Sequence, residues 1–296
     1  MKLPNAIIVG ASKAGTTSLS YYLNQHSEVF WKTDDEPDFF SKRLNNGLSS
    51  YAKLFKDRHE LVVGESSPSY LNNPEVPQRI LNLLGPEVKI IISVRNPIER
   101  AFSDYLMAIN NAVEDRTFIE TLTDNAEQLK EFEAGQLGYS DFEWKREFLQ
   151  IGHYTEHIKR YQAVFGKSQV HIVNFHSLGK DALGTVNEIF DFLGLPPMQA
   201  LSLKRHNTYN TSLRKYKSML GNELFVKLKK AVPYNMRHAI KVSMARSKGD
   251  KPRMQPDDRQ WLLDYYREEI TRLNSLVAFD TLAWLKQPQK TANKRQ

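Results

Sequence analysis

The 296-residue chain contains no cysteine. Disulfides, thiolate metal sites and cysteine nucleophiles are therefore excluded, and the absence is compatible with a reducing compartment. No apolar run approaches the ~20 residues that a membrane-spanning helix needs, and the first apolar stretch is too short for a signal-peptide core. The sequence reads as cytoplasmic and complete from Met1. Internal repeats and linker-like boundaries are also lacking, so residues 1–286 are expected to form one domain, with 287–296 a polar, disordered tail. Hydrophobic content of 41% and aromatic content of 11% suffice for a sizeable core.

Charge is not scarce. A formal net charge of +7 and a pI near 9.3 call for an anionic partner. The basic residues concentrate in 204–253 and in the tail, and no nucleic-acid-binding motif accompanies them, so nucleic acid is a poor candidate. An anionic cofactor, an anionic glycan or a membrane surface explains the excess as well. Leu220, Leu224, Leu228 and Val232 recur at i, i+4 among lysines. Such a basic amphipathic helix either packs on its own domain or makes peripheral contact with a membrane or anionic surface through 220–253.

The chain is organised around AIIVGASKAGTTSLSYYLNQ, residues 6–25. Ile7, Ile8 and Val9 form the short apolar run of a buried parallel strand. Gly10 to Gly15 is a glycine-bounded loop, and Thr16, Thr17 and Ser18 open a helix carrying Leu19, Tyr22 and Leu23. Strand, tight turn and helix N-terminus together cradle a phosphate, because unpaired amides and the helix dipole both favour an anion. In a nucleotide triphosphatase loop, lysine directly precedes the hydroxyl residue. Thr16 stands there instead, and the loop lysine is Lys13.

Short strands at Leu61, at Val88–Val94 and around His171 alternate with helical stretches at Val76–Leu84, Asp181–Leu193 and Pro256–Leu276. This alternation predicts an α/β fold, a parallel sheet flanked by helices on both faces. The strand at Val88–Val94 ends in Arg95-Asn96-Pro97 rather than in a magnesium-holding aspartate, and Ser103 follows one helical stretch later. An arginine fork and a serine so spaced can grip one phosphate. Thr33–Phe40, TDDEPDFF, is an acidic loop broken by Pro37, read either as a solvated surface or as the source of a general base. Asn110–Gln150 is polar and helical, with Phe118, Leu122, Leu129 and Phe132 as packing positions. His153-x-x-Glu156-His157 has the inverted zinc-peptidase spacing, but no third ligand announces itself, so no metal site is assigned.

K-x-G-T-T-S after an apolar strand, together with RNPIERAFSDY, resembles the sulfotransferases that use 3′-phosphoadenosine 5′-phosphosulfate. E-P-D-F-F and Glu65-Ser66-Ser67-Pro68-Ser69-Tyr70 resemble the E-x-x-F-F and E-K-[ST]-P-x-Y segments of the glycan-type, heparan-sulfate-like branch. Ser66 departs from that pattern, standing where those enzymes carry lysine. The resemblance implies the P-loop nucleotide-kinase-like sulfotransferase fold. It also implies metal-independent transfer of a sulfuryl group to a hydroxyl of a carbohydrate or glycolipid, leaving 3′-phosphoadenosine 5′-phosphate. By that resemblance Lys13, Ala14, Gly15, Thr16, Thr17 and Ser18 hold the 5′-phosphosulfate and Arg95 and Ser103 the 3′-phosphate. Lys13 and Glu36 are then the catalytic residues, with Asp38 and Glu65 as further carboxylate candidates. The polar stretch 205–217 lies where the family covers the adenosine. A triphosphate-dependent kinase with a degenerate loop and a non-catalytic anionic-ligand binder remain as alternatives.

Overall fold

The computed structural model describes residues 2–110, 114–135, 148–203 and 252–286. The expectations for 205–217, for the basic helix at 220–232 and for the tail 287–296 lie outside the described residues.

Five parallel strands form a single sheet in the order β2-β3-β1-β4-β5: β1 Ala6–Gly10, β2 Val29–Trp31, β3 Val62–Ser66, β4 Lys89–Val94 and β5 Val170–Asn174. Every residue of β1 is buried, as an apolar central strand covered on both faces requires. Because side chains alternate across a strand, Ile7 and Val9 enter one core with Val63, Ile90 and Ile92, while Ala6 and Ile8 enter another with Val62 and Ile91. Each buried isoleucine removes enough apolar surface from water to contribute about 1.5–3 kcal/mol.

The first core is covered by α2 Phe39–Lys42, α3 Leu48–Ala52, α4 Val76–Leu84 and α7 Tyr154–Phe165. The second is covered by α1 Thr16–Leu23, α8 Phe175–Lys180 and α9 Ala182–Phe192. A third cluster joins α5 Pro97–Asn110, α6 Phe118–Glu133 and α10 Pro256–Asn274. Local signals set most of these boundaries. Thr117 and Glu120 form a reciprocal capping box at the start of α6. The Asp181 carboxylate accepts from the Gly184 amide to start α9. Pro256 opens α10, with Asp257 and Asp258 in its first turn and Arg272 in its last, each complementing the helix dipole.

One strand went unexpected, and two boundaries need correction. β2 was not anticipated, because three residues, Val-Phe-Trp, are too few for a period to register. Leu61 lies outside β3 and is 62% exposed; the strand begins at Val62. Glu65 is an interior residue of that strand, which runs on through Ser66. The last helix stops at Asn274, two residues short of Leu276. In the polar middle section, Phe118, Leu122 and Leu129 are buried and Phe132 packs against them. No helix among the described residues is long and apolar enough to cross a membrane.

Candidate active site

The loop after β1 is bounded by two glycines that no other residue could replace. Gly10 has φ of 150° and Gly15 has φ of 84°, both in the region that L side chains avoid. Space forbids a side chain as well. A Cβ on Gly10 would lie 2.7 Å from the Leu71 Cβ, and one on Gly15 would lie 2.7 Å from the Phe175 ring. The loop is pinned to β4, since the Ala11 amide donates to the Ser93 carbonyl at 2.8 Å and the Ser93 hydroxyl donates to the Ala14 carbonyl at 2.6 Å. Gly15 is the N-cap of α1 and offers no side chain, so the first-turn amides of Thr16, Thr17 and Ser18 stay uncapped by any side chain of the cap residue.

Lys13 also has a positive φ, 66°. Its carbonyl accepts from Arg95 Nη1 at 3.2 Å, and its ammonium lies 3.4 Å from Met107 Sδ on α5. Ser103 is one turn before Met107 on that helix, and residues four apart share a helix face. Lys13, Arg95 and the Ser103 face of α5 therefore converge on one loop. Arg95 also lies over the Phe175 ring, 5.0 Å from guanidinium carbon to centroid. Burial lowers its pKa, with Glu99 acting in the opposite sense. A guanidinium nevertheless stays charged in any folded protein. This donor set of uncapped amides, an ammonium and a guanidinium suits a ligand carrying several negative charges. Phe175 and Met107 were missed from sequence, since each sits far along the chain from the loop it touches and neither belongs to a polar motif.

The acidic segment follows β2. Counted over the whole residue Glu36 is exposed, yet enough protein surrounds its carboxyl for burial to be first among the causes raising its pKa. Asp38 raises it further, while Lys42 and Lys13 draw it down, so Glu36 lies within electrostatic reach of the loop lysine. Asp38 is committed elsewhere. Its carboxylate accepts from the Ser69 hydroxyl at 2.5 Å and from Lys42 Nζ at 3.1 Å.

Adjacent residues of β3 face opposite ways. Glu65 is fully buried among hydroxyls, accepting from Tyr51 at 2.9 Å, Tyr70 at 2.9 Å and Ser67 at 2.7 Å. Burial pushes its pKa up to about 7 against the pull of those three donors. Ser66 points into the other core, where its hydroxyl accepts from Trp31 Nε1 at 2.9 Å and pairs with the Ser20 hydroxyl at 2.6 Å. It tethers β2 and α1.

The two histidines with zinc-peptidase spacing do not share a helix face. His153 precedes α7 as its N-cap and meets the Tyr265 hydroxyl at 3.0 Å. His157 is buried against the Gln150 carbonyl at 3.0 Å, and burial holds its pKa down at about 3, so it is neutral. Among the described residues no group of three His, Cys, Asp or Glu side chains could hold a metal ion.

A family model described as "Sulfotransferase domain" matches residues 3–274. Heparan sulfate glucosamine 3-O-sulfotransferase 3B1 of Homo sapiens is 33% identical over 195 residues, 66% of this chain and 47% of that protein. Heparan sulfate glucosamine 3-O-sulfotransferase 5 of Mus musculus is 30% identical over 230 residues, 76% of this chain and 62% of that protein. The chain spans about half the length of these and other curated relatives that it matches. A crystal structure of a sulfotransferase from Alicyclobacillus acidocaldarius superposes with a TM-score of 0.70 at 26% identity, covering 97% of this chain and all of that one.

Proposed function

Because the chain belongs to the sulfotransferase domain family, we propose that it moves a sulfuryl group from 3′-phosphoadenosine 5′-phosphosulfate to an alcohol, with residues 1–286 as one catalytic unit. The observation that carries this reading is the contact of Arg95 Nη1 with the Lys13 carbonyl at 3.2 Å, which joins two separate phosphate-binding signatures at one loop. A single phosphate needs only one of them. Two suit a nucleotide phosphorylated at both the 5′ and 3′ positions.

In this reading the amides of Ala14 to Ser18, the Thr16 to Ser18 hydroxyls and Lys13 hold the 5′ side, and Arg95 with Ser103 holds the 3′-phosphate. The bound donor supplies the sulfuryl group and a phosphate leaving group. Lys13 offsets the charge that grows on the departing phosphate oxygen, an interaction stronger in the transition state than before it. Glu36 takes the proton of the acceptor hydroxyl as that oxygen bonds to sulfur. Its raised pKa makes it a better proton acceptor near neutral pH than an ordinary glutamate.

The acceptor is proposed to be a carbohydrate or glycolipid. The support is the E-P-D-F-F and Glu65-to-Tyr70 segments, together with relatives whose names specify heparan sulfate glucosamine. Ser66 is buried with Trp31 and Ser20 and makes no demand on the acceptor's charge. A transfer screen with labelled donor, without magnesium, across glucosamine oligosaccharides, glycolipids and simple alcohols tests this reading. Transfer to a sugar hydroxyl is the expected result; phosphoryl transfer from ATP would replace it with the kinase reading.

A further inference from the structure

The acidic segment that carries Glu36 has little regular structure before α2, and two of its backbone amides are held by side-chain hydroxyls. The Asp38 amide donates to the Ser67 hydroxyl at 2.9 Å, and the Phe40 amide donates to the Tyr70 hydroxyl at 3.3 Å. A hydroxyl has one proton to give. Both hydroxyls give it to the same group, Ser67 to Glu65 Oε2 at 2.7 Å and Tyr70 to Glu65 Oε1 at 2.9 Å. Because their protons are spent on Glu65, their lone pairs face the two amides. One buried carboxylate thus sets the polarity of both relays, and both end within four residues of Glu36.

We propose that Glu65 is a positioning residue for Glu36, acting through the Ser67 and Tyr70 hydroxyls on the backbone of residues 38–40. The proposal rests on Glu36 being the general base. Glu65 is sealed from solvent and separated from the segment by the two hydroxyls, so it acts on catalysis through them. The third donor provides an internal control. Tyr51 also gives its proton to Glu65 Oε1, at 2.9 Å, but its hydroxyl forms no such relay to the segment, while its ring stacks on Phe39 at 4.4 Å.

The test is a double-mutant cycle between Glu65→Gln and Glu36→Gln, with turnover on a glucosamine oligosaccharide and affinity for 3′-phosphoadenosine 5′-phosphate measured for each protein. Glutamine keeps the volume of Glu65 but presents an N–H group on one side, so one hydroxyl must turn its proton away. Glu65→Gln should lower kcat by roughly ten- to a hundredfold, the scale of an ångström's misplacement of a reacting group. Nucleotide affinity should stay within about twofold, and in the Glu36→Gln background the same change should cost less than about twofold. Ser67→Ala, which cuts one relay and leaves the carboxylate, should lower kcat more than Tyr51→Phe, and it serves in place of Glu65→Gln if that variant does not fold.

Amide exchange gives an independent reading. Residues 36–40 should exchange faster in Glu65→Gln, while 10–23 are unchanged. Full multiplicative loss in the double mutant, or unaltered exchange at 36–40, would overturn the positioning role. If Glu36→Gln alone retains more than about a tenth of turnover, the base assignment fails and the positioning role falls with it.

Discussion

The loop after β1 and the acidic segment after β2 flank the proposed site but are held by different physics. The loop is fixed by its own backbone, by glycines whose side-chain space is already filled, and by β4 beside it. The acidic segment is held by the first turn of α2, by Arg79 on the Phe40 carbonyl and by side-chain hydroxyls reaching in from the stretch after β3. A backbone-built cradle tolerates little variation and suits a ligand part that never changes. A hydroxyl-held segment can be retuned by single substitutions while the cradle stays intact, which suits the half of the reaction that meets the acceptor.

The comparison breaks most sharply if variants on one side disturb the other. Glu36→Gln keeps shape but cannot take a proton, and it should lower turnover on the order of a hundred- to ten-thousand-fold with nucleotide affinity unchanged. Since burial raises the Glu36 pKa, the rate should rise with pH through a limb above the ordinary glutamate range, and that limb should vanish in the variant. A pH-rate profile checks both. On the cradle side, Lys13→Ala should reduce turnover more than donor affinity, because in the proposed reaction the ammonium meets charge that develops only in the transition state. Lys13→Arg should recover part of the loss, since a planar fork places charge differently. Unchanged kcat with weaker binding would remove Lys13 from the chemistry. The smallest effect is expected for Asp38→Asn, a few-fold at most, because the Asp38 carboxylate is occupied by Ser69 and Lys42.

The two regions also differ in how much of them could be read from sequence. The loop after β1 and the start of α1 are made of consecutive residues, so they were legible as a unit, and the apolar run of β4 marked where Arg95 would emerge. Helices α4 and α9 were legible from their periodicity and from Gly85 and Gly194, whose φ values of 87° and 74° end them. What escaped depends on partners far away. β2 exists because Val29, Phe30 and Trp31 pair with Val62, Val63 and Gly64. The relays join Asp38 to Ser67 and Phe40 to Tyr70, and no local spacing encodes them. The zinc-like spacing does not become a shared helix face for a local reason, since α7 starts one residue after His153.

Calorimetry without magnesium tests most directly whether one site recognises two phosphates of one nucleotide. The protein should bind 3′-phosphoadenosine 5′-phosphate at least tenfold more tightly than AMP or ATP. Arg95→Ala should remove most of that difference, because truncating a buried charge contact costs about 2–5 kcal/mol. Equal affinity for AMP and 3′-phosphoadenosine 5′-phosphate in the unmodified protein would contradict the two-phosphate site.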